Sequence, residues 1–295
     1  MSTNGETLND LQAPAVYRRR VGDAVITALS DGYFDMPFDF FPTLSAEDGE
    51  RLLVQARRPS PPRIQVNAFL IEASGRTILV DTGCGGHLGP TVNKLRGNLA
   101  AAGVAEAAID TVLCTHIHPD HTNGLVDGDG GAVFANAEVV VHEAEAAFWL
   151  SEEQMGRAPD ALKPQFQWAM SAFAPYKGRV RQFRQGEVLP GVEAVPLYGH
   201  TPGHSGYVVH SGGHSLLIWG DAVHSIGIQS VRPEISFAAD VDQAAARETR
   251  LRLFDQVAAD KLMVTGMHLE FPGFGYLTRS GESFRYDAEP WSPTA

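Results

Sequence analysis

Four side chains able to bind a metal fall within six residues: His116, His118, Asp120 and His121, in the run Thr115-His116-Ile117-His118-Pro119-Asp120-His121. Two imidazoles two apart on an extended segment turn to one side, and the loop that follows brings a carboxylate and a third imidazole to a neighbouring point. This is spacing for two cations rather than one, and packing alone gives no reason for it. Three more candidates each follow an apolar run and sit among glycines: His200 in Gly199-His200-Thr201-Pro202-Gly203-His204, Asp221 in Trp219-Gly220-Asp221, and His268 after Val264-Thr265-Gly266-Met267. Glycine lets the backbone bend sharply enough to aim such a side chain. Imidazoles and carboxylates without thiolate suit zinc, manganese, cobalt or iron, and zinc is our expectation. The chemistry such a centre performs is metal-assisted hydrolysis, with no serine or cysteine nucleophile and no covalent intermediate.

These residues need strands to carry them. The run Thr111 to Thr115 reads as a buried strand ending at the motif, and Val25 to Leu29 as a first strand. Gln65 to Glu72 and Thr77 to Asp81 form a hairpin across Ala73-Ser74-Gly75-Arg76. Further strands are expected at Glu138 to His142, Val192 to Pro196, Gly206 to His210, Ser215 to Trp219 and Lys261 to Thr265. Helices are expected at Ser45 to Arg58, opened by Ser45 and Asp48 in capping-box-like spacing, at Leu95 to Ala101, and from Ala144 to Leu150. A fourth spans Asp242 to Ala259 on a stripe of Leu251, Phe254 and Val257. Strands separated by helices predict an α/β sandwich with mixed sheets. We expect one domain over residues 1–295, with 1–15 a loose arm.

The 295 residues include 44% hydrophobic and 20% charged, a composition able to bury a core. With 23 basic against 35 acidic side chains, the net charge of −12 disfavours nucleic acid and anionic membrane surfaces as partners. The start lacks the basic segment and apolar run of a secretory signal, and no apolar stretch approaches the roughly 18 residues of a membrane helix. The expected location is the cytoplasm. Cys84 and Cys114 stand apart in apolar or glycine-rich surroundings and read as two reduced, semi-buried thiols.

The H-x-H-x-D-H run at His116 to His121, the Val80-Asp81-Thr82-Gly83 turn, and the later G-H-T-P-G-H, G-D and histidine elements resemble the metallo-β-lactamase fold superfamily of hydrolases. The resemblance runs from about Val25 to Tyr276. It implies a four-layer αββα sandwich with two mixed β-sheets holding two divalent metal ions. His116, His118 and His200 would hold the first, Asp120, His121 and His268 the second, and Asp221 would bridge them. Asp81 would support the site, and His204 would make a local hydrogen bond rather than ligate. Two cations sharing a carboxylate can share a water and acidify it to a bridging hydroxide, with Asp120 as proton shuttle.

Within the superfamily, the absence of a cysteine ligand departs from true β-lactamases, and His118 departs from the glutamate of flavo-diiron proteins. The stretches Trp219 to His224 and Met267 to Tyr276 look more like methyl parathion hydrolase-like enzymes, with quorum-quenching lactonases close by. Lactonases place a substrate-contacting tyrosine three residues after the bridging aspartate, where this chain has His224. His224 is therefore a second catalytic candidate beside Asp120. Tyr33, Phe34, Phe38, Phe40 and Phe41, with Phe271, Phe274 and Tyr276, offer rings for an apolar pocket. The expected substrate is a small hydrophobic lactone or aryl ester, with phosphotriester turnover alongside. A methyl parathion-type organophosphate hydrolase or a non-catalytic metal-binding sensor are the alternatives, and the resemblance suggests a homodimer.

Overall fold

The computed structural model describes residues 12–86 and 88–295. Its first sheet has seven strands side by side in chain order: β1 (Val16–Val21), β2 (Ala24–Asp35), β3 (Arg63–Ala73), β4 (Arg76–Val80), β5 (Thr111–Leu113), β6 (Glu138–His142) and β7 (Val180–Phe183). The second also has seven: β8 (Gly186–Leu189), β9 (Val192–Pro196), β10 (Ser205–Ser211), β11 (His214–Ile218), β12 (Met263–Thr265), β13 (Gly275–Ser280) and β14 (Ser283–Ala288), in sequential neighbour order. Both sheets are mixed. Strands β4 to β7 run parallel, as do β11 and β12, and the remaining neighbours are antiparallel.

The helices are α1 (Ala46–Gln55), α2 (Leu95–Ala101), α3 (Pro119–Thr122), α4 (Glu143–Trp149), α5 (Glu152–Arg157), α6 (Lys163–Phe173), α7 (Ile226–Gln229) and α8 (Gln243–Asp260). Alternation along the strands makes the layers. Ile78, Val80, Leu113 and Val140 face the second sheet and meet Tyr207, Val209, Leu216 and Ile218. Their neighbours Leu79, Val112, Val139 and Val141 point the other way, onto Leu99, Trp149, Phe166 and Phe173 of the helices. On the outer face of the second sheet, Leu217 and Val264 pack against Leu253, Phe254 and Val257 of α8. Side chains that alternate at period two serve two cores at once, which is why these central strands are apolar throughout. The expected αββα sandwich with two mixed sheets is the observed one.

Most expected elements appear within a few residues, and Ser45 caps α1 by accepting from the Asp48 N–H at 3.1 Å. Strands β1, β7, β8, β13 and β14 and helices α3, α5, α6 and α7 lie outside the expected set. The buried stripe of α8 is also corrected: Leu251 is only half-buried, while Leu253 joins Phe254 and Val257 in the core. The loose arm expected over 1–15 falls largely outside the described residues. Ala15, within it, is tied down, since its N–H donates to Asn98 Oδ1 at 3.1 Å. Cys84 and Cys114 are free thiols and wholly buried rather than semi-buried. No helix among the described residues is long and apolar enough to cross a membrane.

Candidate metal centre

Parallel pairing puts the C-terminal ends of β4 and β5, and of β11 and β12, on one edge of the sandwich. Asp81 leaves β4 there, Thr115 and His116 follow β5, Asp221 follows β11, and His268 follows β12. The β9–β10 connection brings His200 to the same edge. Asp81 adopts φ +60°, a conformation aspartate tolerates better than most residues, and this turns its carboxylate back under the motif. Its Oδ1 accepts from the Thr115 N–H at 2.8 Å, and Oδ2 accepts from Thr115 Oγ1 and His121 Nδ1, both at 2.7 Å. After the extended His118, the Pro119-led turn of α3 swings Asp120 and His121 onto the site.

Three other imidazoles are oriented in the same way. His200 Nδ1 meets Asp240 Oδ1 at 2.8 Å, His268 Nδ1 meets the Gln65 carbonyl at 2.6 Å, and His116 Nδ1 meets Thr115 Oγ1 at 3.0 Å. An acceptor on Nδ1 keeps the proton there and leaves the Nε2 lone pair for the centre. Those Nε2 atoms converge on a single oxygen. Asp221 Oδ2 lies 3.0 Å from His268, 3.3 Å from His121 and from His200, 3.4 Å from His224 and 3.7 Å from His116. Asp120 Oδ2 sits 3.4 Å from His121 Nε2 and 3.6 Å from His268 Nε2.

Two clusters result. The ligand atoms of His116, His118 and His200 lie within 4.8 Å of one another, as do those of Asp120, His121, Asp221 and His268. All seven expected residues are therefore brought together. The residues also fit cations chemically: buried Nε2 of His116, His121 and His200 and Oδ1 of Asp221 have no hydrogen-bond partner among the described residues. Buried polar atoms left unpaired are costly, and divalent cations would pair them. The set Asp240, His200 and His224 also clusters, but Asp240 is already engaged in holding the His200 ring.

The electrostatics follow from burial and crowding. Burial, together with neighbouring histidines, pushes His116 and His118 well below the ordinary imidazole range. Burial opposes protonation of His121 and His200 too, yet the carboxylates around them win: His121 is raised well above its usual value and His200 to about 9. Asp221 is held well below the usual carboxylate range, because His121 and His268 outweigh its burial. Burial takes His204 down to about 3, and its neutral ring donates to the Leu197 carbonyl and accepts from the Asp221 N–H at 2.9 Å. That is the local hydrogen-bonding role expected of it. Gly220 is required for this contact, since with φ +56° a Cβ there would stand 2.3 Å from His204 Nε2.

Two supporting carboxylates were not expected from sequence. Asp240 lies beyond the motifs, with no local pattern to mark it. Glu145 is wholly buried and joins the two loops that carry His116, His118 and His200: its Oε2 accepts from the Ile117 N–H at 2.9 Å and its Oε1 from the Gly203 N–H at 2.7 Å. A signal existed, because Glu145 shares a helix stripe with Phe148 and Trp149, where an acid has no place unless partnered.

A cavity of about 300 Å³ opens on the centre, walled by Phe34, Met36, Phe40, Ile64, Trp168 and Phe237. His224 stacks on Phe237 with centroids 3.7 Å apart, and burial lowers its pKa to about 4, so the ring is neutral. Of the expected aromatics, Phe34 and Phe40 line this cavity. Phe41 is core, and Tyr33 lies beneath the Arg63 guanidinium at 3.8 Å. Phe271 and Phe274 pack in the inter-sheet core and Tyr276 stands exposed on β13, so none of the three walls the pocket. The chain after His268 leaves the site edge to enter β13, which carries those rings away.

The fold and the clustered histidines and aspartates form a candidate metal centre, and the sequence model of the Metallo-beta-lactamase superfamily matches residues 61–268. The chain belongs to that superfamily. It is similar to the hydrolase AbOPH of the beta lactamase superfamily, with 31% identity, TM-score 0.90, and coverage of 96% of this chain and 100% of that one. It shares the fold of AidC, a dizinc quorum-quenching lactonase, at 23% identity and TM-score 0.89, covering 95% and 99% of the two chains. The acyl-coenzyme A thioesterase MBLAC2 of Gallus gallus is 28% identical over 173 residues, 54% of this chain and 58% of that protein. The Bos taurus protein of the same name is 26% identical over 213 residues, 68% and 72% of the two chains. The match thus spans little more than half the length of the chicken relative.

Proposed function

We propose that this protein is a dinuclear metal-dependent hydrolase of small hydrophobic lactones or aryl esters, with phosphotriesters as further substrates. The observation that carries the reading is Asp221 Oδ2 amid five imidazole nitrogens, beside an apolar cavity. His116, His118 and His200 would hold one ion, Asp120, His121 and His268 the other, with Asp221 shared and zinc as the metal. Bound there, the ions supply Lewis-acid polarisation of the substrate oxygen and acidify water near neutral pH. The chain supplies the rest. Phe34, Met36, Phe40 and Phe237 seat the apolar acyl or aryl group and exclude water around it. Asp120 takes the proton of the water that adds to the acyl carbon and returns it to the leaving oxygen as the C–O bond breaks. His224, with both ring nitrogens free of hydrogen bonds among the described residues and its ring bordering the cavity, contacts the substrate.

The names of the vertebrate relatives favour a thioester as the second reading, since addition of water to the acyl carbon then breaks a C–S bond instead. The test is kcat/KM of zinc-loaded protein on a long-chain acyl homoserine lactone, dihydrocoumarin and a nitrophenyl phosphotriester. A lactone preferred by about a hundredfold, roughly 2.7 kcal/mol, supports the lactonase reading. Preference for the phosphotriester would replace it with an organophosphate hydrolase, and binding without turnover with a sensor. Asp221→Ala should lose metal and activity together.

A further inference from the structure

A second cavity, of about 280 Å³, adjoins the same centre, and His224 and His268 line both. The two rings stack at 5.3 Å with 26° between their planes, so they form a thin partition. On one side the wall is apolar. On the other stand Arg58, Arg63, Gln65, Ser225 and Glu270. Two guanidiniums line one small wall, each paired with a single carboxylate, Arg58 with Glu270 and Arg63 with Asp35, and the Arg63 guanidinium also lies over the Tyr33 ring.

Neither guanidinium is used up. Arg58 pairs through Nε with Glu270 and donates Nη1 to the Ala56 carbonyl at 2.7 Å, leaving Nη2 without an acceptor among the described residues. Arg63 gives Nε and Nη2 to Asp35 at 2.8 and 2.9 Å, which leaves Nη1 without an acceptor among the described residues. Both ion pairs are open to water, with side chains 37% and 38% exposed in the first and 36% and 43% in the second. Pairs this exposed are screened and contribute little, so an incoming anion displaces their carboxylates at small cost. A guanidinium edge matches a phosphate or carboxylate with two parallel hydrogen bonds.

We infer that this cavity is a subsite for an anionic leaving group, a phosphate- or carboxylate-bearing half of the substrate, whose acyl half occupies the apolar cavity across the partition. The inference rests on the ester-hydrolase reading for the position of the scissile bond, and on the arginines alone for recognition of the anion. In the step it serves, water adds to the acyl carbon, the bond to the leaving oxygen or sulfur breaks, and that atom takes a proton while its anionic tail stays on Arg58 and Arg63.

Three thioesters with one acyl group separate the possibilities: octanoyl-coenzyme A carries phosphates, octanoyl-glutathione carboxylates, and octanoyl-N-acetylcysteamine no charge. Binding is measured by titration calorimetry on the full chain without added metal, and kcat/KM on the zinc-loaded protein. At least one anionic thioester should bind about tenfold more tightly than the neutral one, and which of the two does so identifies the anion. The Arg58→Gln/Arg63→Gln double variant should lose that preference and keep the neutral thioester unchanged. In the unaltered protein, raising salt from about 0.05 to 0.5 M should shrink the preference, a control that needs no substitution. Equal binding of all three, or a preference that survives the double variant, overturns the subsite. Tight, arginine-dependent binding without turnover would keep the subsite and overturn the thioester reading, leaving the lactone and aryl-ester assays to decide the hydrolase reading, whereas equal turnover of all three would overturn the subsite and keep the hydrolase.

Discussion

Removing Glu145 should loosen two loops at once. Its carboxylate is the sole hydrogen-bonded link described between the Ile117 N–H and the Gly203 N–H, and it has no exposure to water that could replace it. In Glu145→Ala both donors are left buried and unpaired, at about 1–3 kcal/mol each, or roughly 2–6 kcal/mol together. Against a native stability of about 5–15 kcal/mol, that is a large fraction. At about 2–4 °C per kcal/mol for a chain of this size, the melting temperature should fall by roughly 4–24 °C. Glu145→Gln keeps the shape but turns an amide N–H toward one of the two donors, so about half the loss is expected. The loops held by Glu145 carry His116, His118 and His200, so zinc retained after dialysis should drop in the same order: wild type, Gln, Ala. Thermal unfolding followed by circular dichroism, with zinc measured by mass spectrometry, reads both quantities. An alanine variant that melts with the wild type and retains its zinc would refute the argument.

Asp240→Asn should weaken zinc binding by about 10- to 100-fold in competition with a chromophoric chelator, because the amide no longer holds the His200 Nδ1–H with a charge. Gly220→Ala forces a Cβ into His204 at a positive φ, and should yield protein that melts several degrees lower with the Asp221 N–H contact broken. Zinc uptake should release protons, since His121 and His200 are held protonated at neutral pH when no ion competes. Their folded pKa values are raised, so the competing protons leave only as pH rises; apparent zinc affinity should therefore climb with pH up to about 9. Calorimetry in two buffers of different ionisation enthalpy counts those protons, and a buffer-independent heat would contradict the prediction.

The metal motif is legible in sequence because four donors lie in one short run, where a backbone of any fold must place them close together. His200, Asp221 and His268 are legible for a related reason: each ends an apolar run and has glycine beside it. Helix Leu95–Ala101 and strands Glu138–His142 and Val192–Pro196 match the expectation residue for residue, since their local pattern agrees with their surroundings. Strands β1, β13 and β14 carry Arg18 to Arg20, Thr278 to Ser280 and Arg285 to Asp287 at sheet margins. Their pairing comes from a neighbouring strand, and edge positions demand no apolar run.

What composition and spacing determined was the kind of chemistry: nitrogen and oxygen donors for two cations at strand ends, on a chain with enough apolar residues to build the strands. Which groups hold those donors in place was decided only by tertiary structure. Glu145 reaches a loop 58 residues away, Asp240 one 40 residues away, and Phe237 becomes the floor under His224. The same is true of the arginines beside the site and of the rings that leave it, Phe271, Phe274 and Tyr276. Local pattern reports what a residue can do chemically, whereas proximity across the sheets depends on how two layers pack, and no window along the chain contains that information.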